Sequence, residues 1–544
     1  MTSSFQSRGS QPAACLQTRW RTASLLVLIG FLSLATSCSK EDNAVGPPTV
    51  PTPAKSIVIL YENDVHCAID GYTRMAGLRD AIVKADTAYV GVVSVGDFLN
   101  GGVSGVLNQG QYIVDIMRSV GYDAVTLGNH EFDFGMPRVQ QLMPLIQAPV
   151  VCANLYQAGA DRPMYPTFIM KQYGQKRIGF VGVCTAESMR TESYAFYDKQ
   201  GNMLYDLCPQ TMTALVQQSV DSAYAAGADY VVLLSHLGEL TVANGVNSHD
   251  MVSQTHGIDM VLDGHTHTVV PHAEQANQEG RPIGITQTGT QFANIGKLVI
   301  TPDGRFLTEL IPMKDVEGME SARVTATTDS VKTLMEGLTS AVVGQCDFEL
   351  TVNDASGNRV ASKAETNLGD LVSDAFQARM QADIGLENGG GLRSSIPAGD
   401  ITFGDVIGAV PFFNVMCKIE VTGEMLLNML SQCTARFPAK ESIFPHVSGM
   451  KYTIHSVSHT ISDVLVLNRQ TNDYEPLDMQ AKYTVACTDY YRSGGFYRTL
   501  VNADLLEQTS ETQYETLAWF IREQLHKRVG DEYRYSQGRV TVVE

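Results

Sequence analysis

The chain's main constraint is a pattern that occurs five times: a short apolar run rich in β-branched residues stops at a metal-ligating side chain. Tyr122-Asp-Ala-Val-Thr-Leu127 reads as a buried strand, and Gly128 then turns the chain so that Asn129 and His130 sit at its end, with Asp133 close enough to orient the imidazole. Ser56-Ile-Val-Ile-Leu-Tyr61 leads to Asp64 and His66, and Ala88-Tyr-Val-Gly-Val-Val-Ser-Val95 leads to Gly96-Asp97. Asp229-Tyr-Val-Val-Leu-Leu-Ser-His236 ends in His236, and Ile258-Asp-Met-Val-Leu262 runs into Asp263-Gly-His-Thr-His267, which offers His265 and His267. Each pair alone is ordinary turn chemistry. Five of them at strand ends are not, because ligands in layered α/β sheets gather beyond the carboxyl ends of the strands.

Helical spacing lies between the runs, over Met75–Val83, Gln109–Val120 and Thr211–Ala226, so the expected class is an α/β layered domain. Pro149–Asn154 and Lys176–Val183 read as further strands, and the end of the second carries no obvious ligand. The donors Asp64, His66, Asp97, Asn129, His236, His265 and His267 are oxygen or imidazole ligands with no thiolate, which suits Zn²⁺, Mn²⁺, Fe or Mg²⁺. The expectation is a site for two divalent ions. With 39 basic against 58 acidic residues the net charge is −19, which argues against a nucleic-acid polymer as partner. Small phosphorylated substrates stay compatible with that charge if bound metal supplies local positive charge.

The order Asp-x-His, Gly-Asp, Gly-Asn-His-Glu, Ser-His and Gly-His-x-His resembles the calcineurin-like metallophosphoesterases. More narrowly it resembles the 5′-nucleotidase family, which includes bacterial UDP-sugar hydrolases and animal ecto-5′-nucleotidases. The resemblance implies a four-layer α/β/β/α metallophosphoesterase domain joined by a helical connector to a smaller α/β C-terminal domain. It implies one ion on Asp64, His66, Asp97 and His267, and another on Asp97, Asn129, His236 and His265. A metal-activated hydroxide would attack phosphorus, with a His130–Asp133 dyad stabilising charge or protonating the leaving oxygen.

Ile295–Leu310 reads as a hairpin with Asp303-Gly304 at its turn, closing a first domain taken as residues 56–315. Residues 316–342 serve as connector, with Ser321–Leu338 helical, and residues 343–544 form a second unit. Its clearest feature is Glu387-Asn-Gly-Gly-Gly-Leu-Arg-Ser394, whose glycines let backbone approach a ligand. The segment resembles the family's Asn-Gly-Gly-Gly-x-Arg, which implies that Asn388, Gly390 and Arg393 meet substrate and phosphate. Pro411-Phe412 resembles the family's Pro-Phe step, and Phe412 and Tyr490 are the expected aromatics around a base. Two positions depart from the family. Ala364 stands where an Arg is usual, and Gly494-Gly495-Phe496 replaces a Gly-Gly-Asp whose carboxylate takes ribose hydroxyls.

The implied reaction is hydrolysis of phosphate monoesters, nucleoside 5′-monophosphates first. The alternatives are a 2′,3′-cyclic nucleotide or UDP-sugar phosphodiesterase on the same metals, and a surface binding protein without turnover.

Residues 1–37 read as a lipoprotein signal peptide: Arg8, Arg19 and Arg21, an apolar run over Ala23–Leu34, then Ala35-Thr-Ser-Cys38. Cys38 is the expected lipidation site. Residues 38–55 form a tether containing Pro47-Pro-Thr-Val-Pro-Thr-Pro53, and Ser39-Lys-Glu-Asp-Asn43 resembles a surface-export signal. The expected location is the bacterial cell envelope, anchored by lipid to the outer membrane. Of ten cysteines, eight remain after Cys15 and Cys38 are set aside, most expected buried and free, with pairing among Cys417, Cys433 and Cys487 left open.

Overall fold

The computed structural model describes residues 55–198, 201–239, 246–439, 442–492, 500–501 and 503–544. The signal segment, Cys38, the proline-rich tether and Gly494-Gly495-Phe496 lie outside the described residues.

The central strands of the first half are buried on both faces. β1 (Ser56–Glu62), α1 (Asp70–Ala85), β2 (Ala88–Ser94), α2 (Gln111–Val120) and β3 (Ala124–Val125) come first. β4 (Phe168–Tyr173), β5 (Lys176–Cys184), α3 (Met212–Ala225), β6 (Tyr230–His236) and β7 (Met260–Asp263) follow. β8 (Val269–Ala276), β9 (Pro282–Thr288), β10 (Asn294–Ile300) and β11 (Phe306–Pro312) complete the set. One sheet has the order β11-β10-β1-β2-β3 and the other β8-β9-β7-β6-β5-β4.

Alternation along each strand makes four layers. On β1, Ile57, Ile59 and Tyr61 enter a core shared with Phe180, Val232, Leu234 and Leu262 of the facing sheet. Val58 and Leu60 point the other way, under α1 and α2 with Tyr72, Met75, Ile113 and Met117. On β6, Val232 and Leu234 face the shared core while Val231 and Leu233 meet Val216 and Val220 of α3. A strand with period-2 side chains and apolar residues at every position needs a partner layer on both sides, and helices supply the outer ones.

The chain departs from the expected elements at two places. Tyr122–Leu127 contributes only the two-residue β3. Pro149–Asn154 forms no strand and meets it through a single parallel bridge, Val125 to Val150. Here the sheet ends, and the chain leaves the ladder to deliver Asn129.

Next comes α4 (Ala322–Thr339), which buries Val324, Thr328 and Val331, the two valines joining the outer core of the first half. The second half centres on α5 (Asn367–Met380), β12 (Ile384–Asn388), α6 (Phe403–Ala409), β13 (Val415–Thr422), β14 (Pro445–Ser448), β15 (Lys482–Thr488) and β16 (Asp504–Thr512). The sheet order is β14-β12-β15-β13-β16. Cys67, Cys152, Cys184 and Cys346 are buried free thiols. Among the described residues no helix is long and apolar enough to cross a membrane.

Candidate metal centre

The seven expected ligands converge beyond the carboxyl ends of β1, β2, β3, β6 and β7. Asp64, His66, Asp97 and His267 bring one ligand atom each within 4.8 Å of one another, and Asp97, His236 and His265 do the same. Asp97 belongs to both groups. Asn129 joins the second, with its Oδ1 3.0 Å from His265 Nδ1. Five of these residues, Asp64, His66, Asp97, His265 and His267, have positive φ. Non-glycine residues rarely adopt that conformation, and such strain persists where the surroundings over-determine it, typically at functional sites. Gly128 is obligatory for a different reason: a Cβ there would lie 2.3 Å from Asp97 Oδ1 and 2.7 Å from His236 Nε2.

Backbone carbonyls fix the histidine tautomers. His66 Nδ1 donates to Asn100 O at 2.9 Å and His236 Nδ1 to Val95 O at 2.7 Å, so each turns its Nε2 inward. His66 Nε2 and His267 Nε2 are 2.9 Å apart. Burial, with the neighbouring positive charge of Arg393, keeps both rings neutral, their pKa values well below the usual histidine range. Neutral imidazole is the ligating form.

Two observations fit this donor set to divalent cations. His236 Nε2 is fully buried, 3.2 Å from Asp97 Oδ2, and makes no hydrogen bond. Asp64 and Asp97 are buried carboxylates sharing one site. Burial and the charge of Asp97 push Asp64 up to about 7, while Asp97 is held well below the carboxylate range, against its burial, by His236 and His130. A cation between them relieves both conflicts.

His130 lies beside the ligands. Its Nδ1 is 2.8 Å from Asp133 Oδ2, and Asn100 Nδ2 donates to the same oxygen at 2.7 Å. Burial opposes a charge on His130, but Asp133 and Asp97 outweigh it and push the imidazole up to about 10. The His130 ring stacks on Phe412, with 5.6 Å between ring centres, and the Arg393 guanidinium lies 5.7 Å from the centre of the same Phe412 ring. Arg393 feels Asp97, Asp64 and Asp133 electrostatically, so the second half delivers its cation to the expected ligands. Asn388, Gly390, Arg393, Phe412 and Tyr490 all line one cavity of about 150 Å³ together with Asp97, Asn129 and His130.

Several residues of the site gave no signal as such in the sequence. Glu131 accepts from the backbone N–H groups of Asp97 (2.8 Å), Phe98 (2.8 Å) and Leu99 (3.2 Å), locking two ligand loops together. The segment after β5, read as free of ligands, brings in two carboxylates. Glu187 Oε2 is 3.1 Å from His265 Nε2, and Glu192 Oε1 accepts from Asn129 Nδ2 at 3.4 Å. Thus each orients a ligand from behind. The two acids in Thr185-Ala-Glu-Ser-Met-Arg-Thr-Glu192 were the available signal. Arg359 donates to Gly389 O at 2.8 Å and to Leu392 O, bracing the glycine segment before Arg393.

Buried oxygen and imidazole ligands at strand ends of a four-layer α/β/β/α domain, with a histidine–aspartate pair beside them, define a metallophosphoesterase. Residues 57–269 match the calcineurin-like phosphoesterase family and residues 342–500 the 5′-nucleotidase C-terminal domain, so the chain belongs to the 5′-nucleotidase family. It is 24% identical to the trifunctional nucleotide phosphoesterase protein YfkN of Bacillus subtilis, over 91% of this chain but 36% of that protein. The chain therefore spans about a third of that relative's length. It is 25% identical to a 5′-nucleotidase of Vibrio cholerae, over 86% of this chain and 91% of that one. A 5′-nucleotidase precursor from Thermus thermophilus shares the fold, with a TM-score of 0.75 at 23% identity, covering 90% of this chain and 99% of that chain.

Proposed function

We propose that this chain hydrolyses phosphate monoesters, nucleoside 5′-monophosphates above all, using two divalent ions. One would be held by Asp64, His66, Asp97 and His267, the other by Asp97, Asn129, His236 and His265. Such ions supply Lewis acidity that neutralises phosphoryl charge and lowers the pKa of water. Asp133, bonded to His130 Nδ1, favours the imidazolium form, whose Nε2–H would donate a proton or hydrogen bond to a phosphoryl or leaving oxygen. Arg393 takes phosphate oxygens, and Phe412 and Tyr490 flank the leaving group. The observation that carries the reading is that Arg393 and Phe412 of the second half meet His130 and the metal ligands in one cavity.

The name of the Bacillus relative, a trifunctional nucleotide phosphoesterase, favours a second reading in which the same site also opens phosphodiesters. For location, we propose lipid attachment at Cys38 to the outer membrane after removal of residues 1–37. The test of substrate class is phosphate release by the Mn²⁺- or Zn²⁺-loaded chain from AMP, UMP, ATP, UDP-glucose, a 2′,3′-cyclic nucleotide and an aryl phosphate. Preference for AMP and UMP supports the reading; equal rates on the aryl ester overturn the nucleotide assignment.

A further inference from the structure

Glu387 is the penultimate residue of β12 and lines the same cavity, yet it belongs to none of the groups assigned above. Its side chain is buried, at 1% exposure. Its Oε1 accepts from the backbone N–H of Asn388 at 2.7 Å and lies 3.3 Å from Tyr491 Oη. Its Oε2 has no hydrogen-bond partner. Buried polar atoms are almost always paired, so an unpaired carboxyl oxygen on a residue that lines a ligand cavity calls for an explanation. The neighbouring Asn388 contrasts with it. Its Oδ1 accepts from Tyr491 Oη at 2.9 Å and its Nδ2 donates to Ser442 O at 3.0 Å, so its amide braces the loop from both ends. The packing also fixes where the carboxyl sits: a Cβ at Gly391 would lie 2.2 Å from Glu387 Oε1.

We infer that Glu387 is a substrate-binding residue whose Oε2 hydrogen-bonds a polar group on the leaving alcohol of the phosphate ester, and so selects nucleoside-like alcohols over apolar ones. This rests on the proposed phosphatase reading and names the group that reads its substrate. Burial pushes the carboxyl up to about 8, against the bonds from Asn388 and Tyr491. Burial thus favours the protonated form. Because Oε1 is occupied as an acceptor, the proton rests on Oε2, which then donates to an oxygen or ring nitrogen of the alcohol. A site built to hydrogen-bond a substrate group discriminates strongly against an ester lacking it, because the protein's own polar atom is then left unpaired.

The test uses the full Mn²⁺-loaded chain with AMP and p-nitrophenyl phosphate. Glu387→Gln keeps an acceptor at Oε1 and a donor at the Oε2 position, so the ratio of kcat/KM for AMP over the aryl ester should stay within about threefold of wild type. Glu387→Met keeps the length but removes both, and the ratio should fall at least about tenfold. Inhibition by adenosine, the unphosphorylated alcohol, should weaken in parallel in the Met variant and not in the Gln variant. If the Met variant does not fold, the Gln variant decides, since a ratio that falls more than about tenfold there contradicts the donor geometry. A ratio unmoved in a folded Met variant, or equal losses on both esters, overturns the inference while leaving the phosphatase reading standing. Failure of the wild type to act on either ester would overturn both.

Discussion

Glu187→Gln tests the metal centre at a residue that touches no ion. In the wild type, the Glu187 carboxylate accepts from His265 Nε2 at 3.1 Å and pairs with Arg190. Burial works against its charge, but those two partners hold it below the ordinary carboxylate range. The ring's other nitrogen, Nδ1, faces Asn129 Oδ1 at 3.0 Å, on the side of Asp97 and His236. The carboxylate thus keeps the proton on Nε2 and the lone pair on Nδ1. A charge-assisted hydrogen bond contributes about 1.5–3 kcal/mol and a neutral one about 0.5–1.5. Glutamine therefore costs about 1.4 kcal/mol, or about tenfold in affinity, at the ion that His265 would bind. Glu187→Ala leaves the His265 N–H without an acceptor and should cost toward a hundredfold, about the upper range for loss of such an outer partner. The assay is calorimetric Mn²⁺ titration of chelator-stripped protein, with two sites resolved. One affinity should fall and the other hold, and Glu187→Asp should restore part of the loss. Equal weakening of both sites, or no change in either, would refute the reasoning.

Asp97 faces both ligand groups, so Asp97→Asn should lose most bound metal by elemental analysis while keeping its circular dichroism spectrum. His130→Ala should keep its metal but lose about 10²–10⁴-fold in kcat, measured by phosphate release, because the positioned acid is gone. Arg393→Lys swaps a planar fork for a point charge and should lower kcat/KM at least about tenfold on AMP. His446 gives a pH dependence away from the metals. It is fully buried, its Nε2 meets Ala361 O at 2.9 Å, its Nδ1 has no partner, and burial pushes it from 6.5 down to about 4. The folded state holds it neutral while the unfolded chain takes up a proton below about 6.5, so its contribution is intact at pH 7 and is lost as pH falls from about 6.5 through about 4. The loss totals about 3 kcal/mol. Denaturant midpoints against pH should be flatter across that window for His446→Gln than for wild type, and parallel curves would contradict this.

The parts legible in the sequence were those written locally. A run such as Ser56–Tyr61 followed by Asp64 and His66 declares both a strand and what stands at its end. β6 shows why its core position was readable too: alternate residues serve the two opposite cores, so Val231–Leu234 is apolar at every position. What stayed hidden depends on tertiary approach. Glu187 and Glu192 follow β5 by three and eight residues, on turns where acids usually face solvent, and only the fold turns them toward His265 and Asn129. Glu131 sits inside the Gly-Asn-His-Glu motif, but three of its four backbone partners come from the loop after β2. Pro149–Asn154 has a strand's composition yet lies where the sheet ends, so composition alone misplaced it.

The central claim is that these ligands bind divalent ions and that the bound ions make the chain a phosphatase. The most direct measurement is phosphate release from AMP by the metal-stripped chain as Mn²⁺ is added back, with bound metal counted in the same samples. The account predicts negligible activity without metal, two ions bound per chain, and full activity only when the second site fills. Undiminished hydrolysis in the stripped protein, or two bound ions with no phosphate released from AMP or any other ester, would contradict it.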